Sequence, residues 1–257
     1  MLPNATIRDI LRMYRSGEVS EDEAAAAIEG LRIEVLDEMA RIDAGRSVRC
    51  GMPEVVLAEG KDPLTFADIM LAQVKAAGRC VATRVSPAHL EALQVRLPPG
   101  VRMDHREAAR AVILSTGNEP DHRGGTVAIL TAGTSDIPVA EEAKLIAEEM
   151  GCNVRTAYDV GVAGIHRLFS ALRDLIPADV FIVAAGREGT LPAIVAGLVD
   201  RPVIGVPVST GYGYMGGGEA ALASMLQACS VLAVVNIDAG FTAGAFAAQI
   251  AQGGGRR

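Results

Sequence analysis

Two glycine-rich loops carry the residues best able to do chemistry. Gly133-Thr134-Ser135-Asp136 follows a β-rich apolar run at 127–130 and precedes a helical pattern that begins at Pro138. It offers backbone N–H groups, two hydroxyls and a carboxylate beside a helix start, an arrangement able to hold a phosphate or a carboxylate. Ser135 and Asp136 would serve equally well as ordinary helix N-caps. Gly186-Arg187-Glu188-Gly189-Thr190 repeats the grammar after an apolar run at 180–184, with Pro192 opening the next helix. Arg187 could clamp an anion, and Glu188 could bind Mg²⁺ or move a proton. The plainer reading of these adjacent charges is an exposed ion pair of little energetic weight.

Three further places have chemical potential. His166 opens a helix after a glycine-rich turn in Gly164-Ile165-His166-Arg167, close to Asp159. It could carry a proton, with Arg167 beside it as an anion ligand, or it could be a satisfied structural histidine. The stretch 209–219 contains five glycines and begins Ser209-Thr210-Gly211, so it reads either as a linker or as a mobile lid over a ligand. Cys229 closes a helical pattern at 219–229. As composition it is a small core residue, and the negative end of a helix disfavours a thiolate. A nucleophilic role would need positive charge from elsewhere, such as a cationic substrate ring.

These loops need strands beneath them. Apolar runs near 127–130, 153–157, 180–184, 203–206 and 232–237 alternate with helical patterns near 138–150, 163–174, 191–198 and 219–229. That alternation predicts a parallel sheet with right-handed crossovers and helices on both faces. The glycine-rich loops then fall at the carboxyl ends of the strands, where open α/β sheets hold their ligands.

Upstream, strands at 55–58, 80–85 and 111–114, with helices from Pro63 to about 77 and at 87–93, predict a small βαβ-type unit. A helical hairpin precedes it: one helix over 6–15, and a second opened by Ser20-Glu21-Asp22-Glu23 with capping-box spacing and an apolar face at Ala24, Ala27, Ile28 and Leu31. Glycines and a proline make 115–125 the best linker. The expected organisation is a helical region over 1–45, a small α/β domain over 46–120, a larger α/β domain over 121–252 and a disordered tail at 253–257.

Composition narrows the function. The 257 residues are 50% hydrophobic but only 4% aromatic, so Ala, Val, Ile and Leu must fill the core. A net charge of −7 with scattered basic residues argues against nucleic acid and against an anionic membrane surface. A small-molecule partner is the expectation. The amino terminus lacks a signal-peptide core, and no stretch of about 18 apolar residues follows, which predicts a cytoplasmic protein. Cys50, Cys80, Cys152 and Cys229 are too widely spaced for a zinc ribbon or a disulfide framework, so each is expected as a thiol.

Taken in order, GTSD, GIHR, LPAIVAGL and RPVIGVPV resemble the core of aminoimidazole ribonucleotide carboxylase, a flavodoxin-like enzyme. Longer motifs are narrower: Arg49-Cys50-Gly51-Met52-Pro53-Glu54-Val55 with Gly60-Lys61, then GTSDIPVAEEA, DVGVAGIHR, GREGTLPAIVAGL, SMLQACS and VVNIDAGF. They resemble the LarB family, pyridinium-3,5-biscarboxylic acid mononucleotide synthases of nickel-pincer cofactor biosynthesis, over nearly the whole chain. The resemblance implies a flavodoxin-like α/β fold. It also implies carboxylation of nicotinic acid adenine dinucleotide by CO2 or bicarbonate, with hydrolysis of the phosphoanhydride to release AMP.

In that family a cysteine at the position of Cys229 adds to the pyridinium ring, whose fixed charge answers the objection raised by the helix end. By similarity to the smaller aminoimidazole ribonucleotide carboxylase, His166 is the expected proton carrier, and Ser135, Asp136, Arg167 and Arg187 are the residues expected to hold phosphate and carboxylate groups. Gly133, Thr134, Gly186, Gly189, Thr210 and Gly211 complete the expected binding loops, and Glu188 is the candidate for Mg²⁺ or water at the hydrolytic step. No organic cofactor is expected, and a homo-oligomer is, octameric by resemblance to the purine carboxylases. Two departures stand out: Ser230-Val231-Leu232 follows the cysteine where a proline-glycine turn is usual, and Ala239 replaces an asparagine. The other readings are a purine-pathway carboxylase with no need for Cys229, and a non-catalytic nucleotide-binding scaffold.

Overall fold

The computed structural model describes residues 7–31, 33–36, 40–43, 45–46, 49, 51–117 and 119–254. Cys50, residues 1–6 of the amino terminus and residues 255–257 of the tail lie outside that set. The chain divides into two compact units, one formed by residues up to Arg106 with Ala111–Glu119, the other by Glu107–Arg110 with the residues from Pro120 onward.

The first unit opens with helices α1 (Ile7–Ser16) and α2 (Glu21–Glu29). Ser20 caps α2 as its spacing predicts: its hydroxyl accepts from the Glu23 N–H, and the Glu23 carboxylate accepts from the Ser20 N–H at 2.8 Å. Strands β1 (Glu34–Leu36) and β2 (Ala40–Ile42) then form a short antiparallel pair, where the sequence reading has only a helical region. Three residues per strand carry too little periodicity to be read from sequence.

The unit's main sheet has the order β3 (Val55–Leu57), β4 (Arg79–Thr83), β6 (Ala111–Ser115), β5 (Arg102–Arg106). β3 and β4 are parallel and joined by α3 (Pro63–Ala77), which gives the expected βαβ element. Asp62 caps α3 by accepting from the N–H groups of Leu64 and Thr65, with Pro63 as the first helical residue. β6, the strand expected at 111–114, runs antiparallel to β4, and β5 adds an antiparallel edge strand that the sequence reading lacks. β5 reads RMDHR and is exposed along nearly its whole length, as suits a charged edge strand. Phe66, Met70, Leu93 and Leu114 fill the core between this sheet, α3 and α4 (Pro87–Arg96).

The second unit is a five-stranded parallel sheet of β7 (Thr126–Thr131), β8 (Asn153–Ala157), β9 (Val180–Ala185), β10 (Val203–Pro207) and β11 (Ala233–Val234). Its order is β8-β7-β9-β10-β11, the doubly wound arrangement of flavodoxin-like folds. β9 and β10 are buried at every position, so they read as unbroken apolar runs rather than as alternation. Successive side chains serve opposite faces. Ala128, Leu130, Phe181 and Val183 pack under α6 (His166–Leu175), α7 (Thr190–Ala196) and α8 (Glu219–Leu226). The other face meets α5 (Ile137–Glu149) and α9 (Gly240–Gly254), which pack on each other.

α9 corrects the sequence reading, which ends its element series at the last strand and assigns Gly253 and Gly254 to a disordered tail. Both belong to the helix. Its glycines have a packing reason: a Cβ at Gly240 would stand 2.4 Å from the Val139 carbonyl, and one at Gly244 2.3 Å from that of Ala143. Glycine lets the two backbones approach more closely than any side chain would allow.

Candidate active site

Three strand ends converge on one cavity. β7 ends in a 3₁₀ turn, Thr134–Asp136, that leads straight into α5. β9 ends at Ala185, just before Gly186, and β10 ends at Pro207, ahead of the segment that carries Thr210 and Gly211. A Cβ at Gly186 would lie 3.1 Å from Asp136 Oδ1, 3.1 Å from Thr210 Oγ1 and 3.3 Å from the Gly211 nitrogen, so this glycine is the crossing point of all three loops. Gly161, in the loop after β8, plays the same part toward Ala132, whose carbonyl would be 2.4 Å from a Cβ there. The cleft has a volume of ≈ 370 Å³, the scale of a small-molecule site.

Asp136 is the buried acid of this cavity, 3% exposed. Its carboxylate accepts from the Gly133 N–H at 2.8 Å, and the Thr210 hydroxyl donates to it at 3.4 Å. Burial pushes its pKa up, and the charge of Asp238 adds to that; the two hydrogen bonds oppose it. Asp238 in turn fixes the base of the glycine-rich loop by accepting from the Ser209 N–H at 2.8 Å.

Two arginines face the cavity. Arg167, on the first turn of α6, pairs with Asp159 at 2.5 Å. Asp159 therefore partners Arg167 rather than the neighbouring His166. The Asp159 N–H is held by the Thr131 hydroxyl at 3.0 Å, and the adjacent Tyr158 donates its hydroxyl to Glu141 of α5, so the loop is tied at both sides. Burial and the Glu141 carboxylate push the Tyr158 phenol pKa up, which keeps it a donor. Arg187 makes no ion pair with Glu188 among the described residues, so the exposed-pair reading gives way. Its guanidinium lies 4.8 Å from the Tyr212 ring centre and donates to the Tyr212 hydroxyl at 3.2 Å. An exposed contact of this kind contributes about 0.5–1 kcal/mol, which an incoming anion can outbid.

The segment between β10 and α8 is a folded loop. Gly217 N–H donates to the Gly211 carbonyl and Gly216 N–H to the Gly213 carbonyl, both at 3.1 Å, while Tyr212 and Tyr214 project from it, 73% and 94% exposed. Internal hydrogen bonds of that kind are foreign to a plain linker.

Residues 126–254, half of the chain, match the family described as AIR carboxylase. This chain belongs to the AIR carboxylase family. Residues 33–116 match a second description, the LarB/PurE-like N-terminal domain. A relative from Methanocaldococcus jannaschii named "Uncharacterized protein MJ0165" is 44% identical over 251 residues, covering 96% of this chain and 97% of that protein. Two further relatives match about half of this chain. The N5-carboxyaminoimidazole ribonucleotide mutase of the same organism is 34% identical over 48% of this chain and 77% of its own length. A probable N5-carboxyaminoimidazole ribonucleotide mutase of Methanothermobacter thermautotrophicus is 36% identical over 48% of this chain and 37% of its own length.

The AIR carboxylase cavity gathers ten of the residues singled out from sequence: Gly133, Ser135, Asp136, Arg167, Gly186, Arg187, Glu188, Gly189, Thr210 and Gly211 all line it. Thr134 and His166 do not; both are exposed, His166 at the first position of α6. Cys229 is further removed. It is an exposed free thiol in the segment joining α8 to β11, and the next residue, Ser230, donates to the Ala193 carbonyl of α7 at 2.8 Å. That segment leads into the amino end of β11, whereas the cavity sits at the carboxyl ends of β7, β9 and β10. One AIR carboxylase unit therefore does not bring its own Cys229 to its own cavity.

The departure after the cysteine leaves Val231 93% exposed, while Leu232 turns inward against Gly205. Ala239 has a role its backbone alone can fill, its carbonyl accepting from the Ala243 N–H at the start of α9.

Sequence reasoning did not select Asp159, Gly161 and Tyr212 as lining residues. Asp159-x-Gly161 directly follows β8, so the rule that ligands gather at carboxyl strand ends could have included it. Tyr212 lacked such a signal, because its orientation depends on Arg187. Metal binding has limited protein support: among the described residues no group of three or more His, Cys, Asp or Glu side chains is placed to hold an ion. Asp136 and Asp159 are already engaged, which leaves Glu188 as the cavity carboxylate with no hydrogen bond or ion pair among the described residues. A single carboxylate with substrate phosphates suits Mg²⁺ better than a cage built wholly of protein groups. Among the same residues no helix is long and apolar enough to cross a membrane.

Proposed function

We propose that this member of the AIR carboxylase family carboxylates the pyridinium ring of nicotinic acid adenine dinucleotide and hydrolyses its phosphoanhydride, giving pyridinium-3,5-biscarboxylic acid mononucleotide and AMP. The observation that carries this reading is the joining of an AIR carboxylase unit and a LarB/PurE-like N-terminal unit in one chain, with an exposed thiol at Cys229. Arg187 and Arg167 supply the cations for phosphate and carboxylate groups, and Ser135 lines the same cavity.

In the reaction the Cys229 thiolate adds to the pyridinium ring and neutralises it. The resulting enamine-like carbon attacks CO2, a proton leaves the carboxylated carbon, and the C–S bond breaks with return of its electrons to sulfur, restoring the aromatic ring. His166, which like Cys229 stands outside the cavity of its own copy, is the proton carrier of this scheme. Water then attacks the phosphoanhydride and releases AMP. Glu188 together with substrate phosphate oxygens would hold Mg²⁺, which supplies charge neutralisation at that step.

Because Cys229 stands away from the cavity of its own copy, the thiol in this scheme comes from a second copy in a homo-oligomer. The exposed apolar side chains of Leu226 and Val231, 66% and 93% exposed on either side of Cys229, support an interface there.

The test is mass spectrometry of the protein incubated with nicotinic acid adenine dinucleotide, Mg²⁺ and ¹³C-bicarbonate, beside Cys229→Ser. Labelled biscarboxylate mononucleotide and AMP from the wild type alone support the scheme; neither product nor adduct from the wild type overturns it. The second reading is a purine-type carboxylase or mutase, favoured by the names of two relatives that match about half of this chain. It uses the same cavity, leaves Cys229 idle and predicts turnover of an aminoimidazole ribonucleotide instead.

A further inference from the structure

Tyr212 is the one aromatic side chain among the described residues lining the cavity, and its face is covered by a planar cation. The guanidinium of Arg187 lies 4.8 Å from the ring centre and also holds the phenol oxygen at 3.2 Å. Tyr212 is itself 73% exposed and sits between Gly211 and Gly213, the latter at φ +90°, so its ring is carried by backbone that only glycine adopts with ease. Glu188, Gly189 and Leu191 line the same cavity.

We infer that the face of Tyr212 is the platform for a planar cationic ring of the ligand, and that Arg187 occupies it in the ligand-free state as a stand-in. This rests on the pyridinium reading above and adds the residue that would select the ring. The exchange has a driving force. A ligand carrying phosphate or carboxylate draws Arg187 into a charge-assisted, two-pronged hydrogen bond, stronger than its exposed contact with the ring. The vacated π face then accepts the ligand's own planar cation. A neutral ring gains the stacking contact but not the charge term, so Tyr212 discriminates by ring charge.

The experiment is isothermal titration with nicotinamide mononucleotide, whose ring is cationic, and with its dihydro form, whose ring is neutral. Nicotinic acid mononucleotide and ribose 5-phosphate are titrated alongside. Wild type and Tyr212→Phe are expected to bind the cationic form about five- to tenfold more tightly than the neutral one. Tyr212→Leu is expected to lose that preference while its affinity for ribose 5-phosphate is kept or rises by about two- to fivefold, because Arg187 no longer has a ring to leave. A Tyr212→Leu protein that keeps the preference, or a wild type that binds both forms equally, overturns the role of Tyr212 alone. A wild type that binds ribose 5-phosphate but none of the three pyridine nucleotides overturns the pyridinium reading, and the platform with it. The exposure of Tyr212 leaves folding out of the comparison, and Tyr212→Phe guards against loss of shape.

Discussion

Gly186 lies against the carboxylate of Asp136, so close that a methyl group at 186 would stand 3.1 Å from Oδ1 and equally near the Thr210 hydroxyl. The contact joins the loop after β9 to the loop after β7, and both to the loop after β10. Gly186→Ala must push at least one of them aside by a few tenths of an ångström. Catalytic groups displaced on that scale are expected to lose about tenfold or more in kcat/KM, with little change in Tm. Turnover and thermal melting of the same preparation check this.

Asp136 gives a pH signature. Its folded pKa is raised by burial. Between the ordinary aspartate value and that raised value the native state holds more proton than the unfolded chain, so stability falls as pH rises through this window and stays lower above it. Asp136→Asn removes the buried charge, and its amide can still accept from the Gly133 N–H. The variant is expected to melt higher than wild type at neutral pH, with the difference closing toward pH 4, and to bind or turn over substrate less well. Melting curves across that range decide it.

Cys229 and Arg187 offer a test in which two dead proteins make a live one. Cys229→Ser and Arg187→Ala should each be inactive in the proposed reaction. If the thiol serves a neighbour's cavity, random co-assembly in equal amounts should restore about a quarter of wild-type activity, because one site in four combines an intact arginine with an intact cysteine. Co-expressed tagged copies, purified and assayed together, supply the measurement. A mixture that stays inactive while its copies co-purify places the thiol elsewhere.

Gly244 sets two effects against each other. Alanine is the better helix former by about 1 kcal/mol. At 244, however, its Cβ would be 2.3 Å from the Ala143 carbonyl of α5, a backbone atom that cannot swing away. Overpacking of this kind costs about 1–3 kcal/mol, so Gly244→Ala is expected to lower stability on balance. Gly253→Ala, where nothing lies within 4 Å, should leave it unchanged or slightly raised. Denaturant melts of both variants separate the two terms.

The parallel sheet was readable because its three central strands, β7, β9 and β10, are buried on both faces, and nothing but apolar residues fits such runs as VFIVAA in β9. Most of the cavity was readable for a related reason: strand ends plus glycine plus charge is a short-range pattern. β5 escaped notice because an exposed edge strand has no apolar period, and α9 because glycines that look like a helix breaker are there to meet another helix. Cys229 shows a different limit. Its motif pointed to chemistry, but its distance from the cavity follows from which end of a strand each loop belongs to, and a motif read as a string does not contain that.

The closing of α9 onto the start of the sheet has an architectural consequence. A Cβ at Gly125, just before β7, would be 2.8 Å from Ala251, and Gln252 donates its side-chain amide to the Met150 carbonyl at 2.6 Å. The parallel unit thus begins and ends at neighbouring points, and joining it to other sequence at either side imposes no strain on its interior. Such a unit is portable.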